Sequence, residues 1–157
     1  MGTNVYKDSN IFNQTDFDEI KKRLDKLDAN SPRLWGKMQV NEMLEYSCLQ
    51  LKLALGEMEG IKNEGSFLLR TSFGRWLGLY GPNWKKGTNT PAQMNIVAQH
   101  IKAATFNVEK ATLLNYLENF RNKSDFNQHP FFGKLHKKDW GRLVWKHLDH
   151  HLRQFGE

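Results

Sequence analysis

The chain has 157 residues, a formal net charge of +6 and 25% charged residues, a size that fits one domain burying roughly two thirds of its unfolded surface. Ten Phe, five Trp and four Tyr supply large apolar bodies for a core, while the apolar runs are far shorter than the roughly 20 residues a membrane span needs. Cys48 is the only cysteine, which excludes an intramolecular disulfide, and "MGTNVYKDSN" lacks the basic-then-apolar order of a secretory signal, so a cytoplasmic location is expected.

The first helix is expected over residues 16–28. Thr15 is its candidate N-cap, and Phe17, Ile20, Leu24 and Leu27 recur at helical spacing. "NSPRLWG" then breaks the chain, because Pro32 disfavours helix at Ser31. A second helix is expected over residues 39–55, with Gly56 placed to end it. Val40, Leu44, Ser47, Cys48, Leu51 and Leu55 share one of its faces, and Tyr46, Leu49 and Leu53 a nearly opposite one. Two such faces put this helix in the middle of a bundle. Glu42 lies one turn before Tyr46, so a carboxylate and a phenol are expected at one location.

Residues 57–89 predict an irregular helix followed by a long loop, since Gly74 and Gly78 interrupt the apolar run "SFLLRTSFGRWLGLY". "TPAQ" has capping-box form with Pro91 at the first helical position, and a short helix is expected to start there. Asn107 is a candidate cap for a further helix ending near Arg121. "NKSDFNQHPFFGKL" is a loop in which Pro130 forces His129 toward extended backbone, and the last helix begins close to Lys137. With no strand alternation and no internal repeat, the expected fold is an all-α bundle of four main helices with an irregular, partly helical insertion between the second and third.

On the last helix, Trp140, Val144, His147, His151 and Phe155 fall within a stripe about 80° wide, at about 100° per residue. His147 and His151 occupy its centre. Arg142, Lys146, Asp149 and Arg153 fall on the opposite side and are expected to face solvent, with His150 on the flank. Two imidazoles four residues apart on one face can converge on an ion, but the same spacing suits a pair of hydrogen-bonded core histidines.

"LWGKM", "NEMLEYS", "TNTP" and above all "HPFFGKLHKKDWGRLVWKHLDHHLRQFG" resemble the DinB/YfiT-like superfamily, in a branch of unknown function found mainly in bacteria. The likeness covers about residues 34–156. It implies a four-helix bundle with a divalent metal, zinc or nickel ahead of iron, held by three histidines, two of which match His147 and His151. The third belongs to the second helix, where this sequence has Tyr46. Three arrangements follow: Glu42 replaces the missing imidazole as third ligand; Tyr46 joins or adjoins a two-histidine ion; or no metal binds and Tyr46 bonds the histidines in a polar relic. His150 takes a flanking role, and catalytic residues are unassigned beyond Tyr46 and Glu42 as weak candidates.

The likeness implies a metal-dependent hydrolase or thiol-dependent S-transferase acting on an unidentified small molecule, with a homodimer as the expected assembly. The alternative is a metal-free helical scaffold. Basic residues cluster only at 21–23, 85–86 and 137–138, so nucleic-acid binding is disfavoured even though "RWLGLYGPNWKK" interleaves aromatics with cations. That segment is expected to plug the bundle end or cover the histidine site. Cys48 is a core residue, His136 starts the last helix, and His129 is at most a pocket-rim candidate.

Overall fold

The computed structural model describes residues 8–88, 90 and 102–157. Among them every regular element is helical: α1 (Gln14–Asp25), α2 (Val40–Ala54), a 3-10 turn (Phe67–Arg70), α3 (Ser72–Tyr80), α4 (Phe106–Arg121) and α5 (Lys137–Gln154). The fold is all-α. The helix expected to begin at Thr90 falls largely on residues 91–101, and with His100 it lies outside the described residues.

Four helices occupy their expected places, with local chemistry shifting their ends. Asn13, not Thr15, caps α1, because the Asn13 carboxamide accepts from the Thr15 N–H at 3.1 Å. The helix also stops at Asp25, short of residue 28. Thr105 is the cap residue of α4, which leaves Asn107 inside the first turn. In α2, Gln39 and Glu42 form a capping box, and Gly56 at φ +78° takes the left-handed conformation that ends the helix.

The fifth helix, α3, lies in the expected insertion and tolerates glycine for a packing reason. A Cβ on Gly78 would lie 2.7 Å from the Phe132 ring, so only glycine lets α3 come this close to the loop before α5.

α5 is the centre of the molecule, packed against α1, α2 and α3, while α4 packs on α2. Trp140 and Trp145 are fully buried along it. This enclosure corrects the expectation of a solvated side: Arg142 and Lys146 are 2% exposed and Asp149 is 4% exposed. Arg142 donates to Leu79 O at 2.9 Å and to Ser9 O at 3.0 Å. Lys146 Nζ donates to the carbonyls of Gly78, Gly81 and Pro82 at 2.9, 3.2 and 2.9 Å, where a cation complements the unpaired carbonyls and negative dipole end of α3. Asp149 pairs with Arg23 at 3.0 Å and with the partly exposed Arg153 at 2.9 Å.

Candidate functional site

Between α2, α5, α3 and the loops around Trp84 and His129 lies a cavity of about 450 Å³. α5 contributes His147, His150 and His151 to its lining, and α2 contributes Tyr46 and Gln50, one turn apart. The rings of Tyr46, His147 and His151 form a triangle. Their centroids are 5.0 Å apart for Tyr46 and His147, 5.1 Å for Tyr46 and His151, and 4.7 Å for the two histidines.

Hydrogen bonds distinguish the two histidines. Gln154 Nε2 donates to Trp35 O at 2.9 Å, which leaves Gln154 Oε1 as the acceptor 2.9 Å from His151 Nδ1. His151 therefore carries its proton on Nδ1 and a lone pair on Nε2. His147 has no such partner among the described residues: both of its ring nitrogens are buried without a hydrogen bond. Burial pushes the His151 pKa down to about 4, and burial together with the neighbouring imidazoles pushes His147 well below its usual range. Both rings are neutral near pH 7, the form in which imidazole binds a metal.

Tyr46 donates its hydroxyl proton to Thr90 Oγ1 at 3.1 Å, and burial raises its pKa, so it stands beside the pair as a neutral phenol. Glu42 is engaged elsewhere. Its Oε2 accepts from the Gln39 N–H at 2.7 Å, in the capping box at the start of α2, and this placement leaves Tyr46 as the α2 group facing the imidazoles.

The match to known sequence families covers residues 7–157 and is to a protein of unknown function, DUF1569. The chain belongs to this family. No curated protein and no solved structure matches it. The DUF1569 match includes α1, which lies ahead of the C-terminal motifs carrying the strongest sequence signal.

Around the triangle, the DUF1569 chain places further groups that the sequence separates widely. His150, on the expected flank, lies 6.0 Å from Trp84, 6.1 Å from Trp35 and 5.2 Å from His151 between ring centroids. Trp84 is 6.3 Å from His147, with its indole N–H donating to Gly78 O at 2.9 Å. Part of the basic aromatic segment thus lines the histidine cavity, as the site-covering expectation requires.

His129 proves to be a buried cavity residue, its Nδ1 accepting from the backbone N–H groups of Phe131 at 3.1 Å and Phe132 at 3.4 Å. Burial pushes its pKa down to about 3. Gln50, which sequence reasoning missed, had one available signal, its one-turn spacing from Tyr46. Cys48 is a core residue as expected, and burial pushes its thiol pKa up to about 12. His136 caps the start of α5.

Among the described residues, no group of three His, Cys, Asp or Glu side chains is placed to hold a metal ion. The site offers two neutral imidazoles, one with both nitrogens open, beside a neutral phenol.

Proposed function

We propose that this DUF1569 chain is a DinB-like, metal-dependent protein that acts on or binds a small molecule in the cavity, with His147 and His151 as its divalent-metal ligands. The carrying observation is the His147 ring, fully enclosed with neither nitrogen hydrogen-bonded. A buried polar group left without a partner costs about 1–3 kcal/mol, which contact with an ion would offset. The donor set suits zinc or nickel ahead of iron. Gln154 orients His151 as outer-shell partners of metal-bound histidines do. The contact of α2 with the last helix at Tyr46 supports the DinB-like assignment.

When bound, the ion supplies Lewis acidity. The chain's own residues do the rest: the Tyr46 ring borders the pair with its hydroxyl held by Thr90, and the Trp84 ring packs near His147. A metal-free binding pocket is the second reading, favoured by the two-imidazole donor set and the Tyr46 hydroxyl already directed to Thr90.

Elemental mass spectrometry of untagged protein, purified without chelator, separates the two readings when run beside a His147→Ala, His151→Ala double variant. Near-stoichiometric metal that vanishes in the double variant, with a Tm lowered by chelator, supports the metal site. No metal in either protein after addition of zinc, nickel or iron leaves the metal-free pocket.

A further inference from the structure

We propose that His129 and Gln50 recognise an uncharged carbonyl oxygen on a small, largely apolar molecule, His129 donating from Nε2–H and Gln50 from its carboxamide. The inference rests on the cavity being the ligand site. The two donors are the same whether or not the histidine pair holds an ion, and the preference for an uncharged ligand is that of the metal-free cavity, so binding is measured in chelator.

His129 is held from several directions. Its N–H donates to Gly133 O at 2.9 Å and its carbonyl accepts from Gly133 N–H at 2.8 Å, closing the loop on itself. The adjacent Pro130 carbonyl accepts from Glu64 N–H and from Arg70, each at 2.9 Å, tying that loop to the segment before α3. Within this frame the ring nitrogen Nδ1 faces two N–H donors, from Phe131 and Phe132. A nitrogen that accepts from two donors carries no proton, so the neutral ring holds its proton on Nε2.

This makes His129 the converse of His151. A metal at His129 Nε2 would require the proton to move to Nδ1, where it would meet both N–H groups. His151 offers a lone pair from Nε2, and His129 offers a hydrogen. Among the described residues, no group accepts from His129 Nε2 and none hydrogen-bonds the Gln50 carboxamide. Both residues line the cavity at only 4% and 3% exposure. Neither is among the sealed, unpaired side-chain atoms, so both donors are reachable from the cavity and free to bond a ligand that enters it.

The rest of the lining narrows the ligand. Among the described residues it contains no Asp, Glu, Lys or Arg, so a carboxylate or ammonium would be buried without a countercharge. A ketone, ester or amide oxygen needs only the donors present. Leu69, Phe131, Phe132 and Leu143 provide apolar wall for the remainder, and about 450 Å³ is within the usual range for small-molecule sites.

The test starts with wild-type protein labelled with 15N at histidine. Two-bond 1H–15N correlation at pH 7 should show His129 as the Nε2–H tautomer; an Nδ1–H or doubly protonated ring overturns the proposal. Binding of 4-phenyl-2-butanone is then followed by its carbonyl 13C shift and compared with butylbenzene and 3-phenylpropionate. The ketone should bind about tenfold more tightly than the hydrocarbon, with the carboxylate weaker than the ketone. That preference should fall severalfold in His129→Phe, and in Gln50→Leu, which leaves the His129 turn intact. Equal binding of ketone and hydrocarbon, no ketone binding, or a preference for the carboxylate overturns it. Metal content measured on the same preparations before chelator is added keeps the readings apart, because a protein that purifies metal-free and retains the ketone preference rejects only the metal site.

Discussion

On one flank of α5, Arg142, Lys146 and Asp149 are buried and engaged by backbone carbonyls or ion pairs; on the flank that meets α2, His147 is equally buried and engages nothing through its nitrogens. The contrast follows from charge. A buried cation or carboxylate without partners would cost several kcal/mol, so the protein supplies those partners itself. A neutral imidazole costs less to leave open, and burial keeps it neutral. The charged groups of that flank are completed from within the chain, and the unbonded imidazole lies on the cavity.

Breaking the completed flank should have the largest effect. Lys146→Met removes the donor shared by the carbonyls of Gly78, Gly81 and Pro82, and urea denaturation should show a loss of about 3 kcal/mol. The Trp84 indole, bonded to that same Gly78 carbonyl, should become more accessible to a fluorescence quencher. A loss below about 0.5 kcal/mol would show that water replaces the lysine freely.

Protons challenge the other flank. His129 and His151 have folded pKa values lowered to about 3 and about 4, against about 6.5 in the unfolded chain. The unfolded state therefore takes up protons first. Stability from these rings is full above about pH 6.5 and is lost as pH falls toward 4 for His151 and 3 for His129, by up to about 1.4 kcal/mol per unit for each. Between pH 7.5 and pH 5.5, where most carboxylates stay ionised, denaturation should record a loss of about 2.7 kcal/mol from the two rings. A flat profile over that interval would mean that the rings take up protons within the fold.

The helical pattern and the register of His147 and His151 were legible because both depend on spacing along one helix. The α5 polar flank was not. Its wheel looks amphipathic, and only the arrival of α3, from a stretch interrupted by Gly74 and Gly78, turns Arg142 and Lys146 into partners for distant carbonyls. His129 was obscure for a related reason: Pro130 marked a loop, but nothing in the residue order says that a loop histidine will turn its lone pair onto the two N–H groups following that proline. Glu42 shows the reverse case, since its capping-box position explains its engagement with Gln39 without any role in the cavity.

If His147 is held open for a ligand, removing its polarity should not harm the empty protein. His147→Leu measured in chelator should be as stable as wild type or more stable by about 1 kcal/mol, the sign opposite to Lys146→Met, because a buried unsatisfied group is replaced by an apolar one. Zinc or nickel should raise the Tm of wild type and leave this variant unmoved. A variant destabilised by 2 kcal/mol or more would place His147 among the structural groups.

Tyr46→Phe should have the smallest effect on stability, about 0.5 kcal/mol, since it deletes one hydroxyl directed to Thr90 and leaves the ring against both histidines. Its value lies in the metal measurement. Burial holds the phenol protonated, so a neighbour's loss should leave zinc affinity within a factor of about three, whereas loss of a ligand should cost tenfold or more. Tyr46→His approaches the same question from the other side: a third imidazole in that triangle should raise zinc affinity by at least about tenfold. Both results together would make Tyr46 the reason the site stops at two protein ligands, while an unresponsive Tyr46→His would mean that the space among the three rings cannot admit an ion.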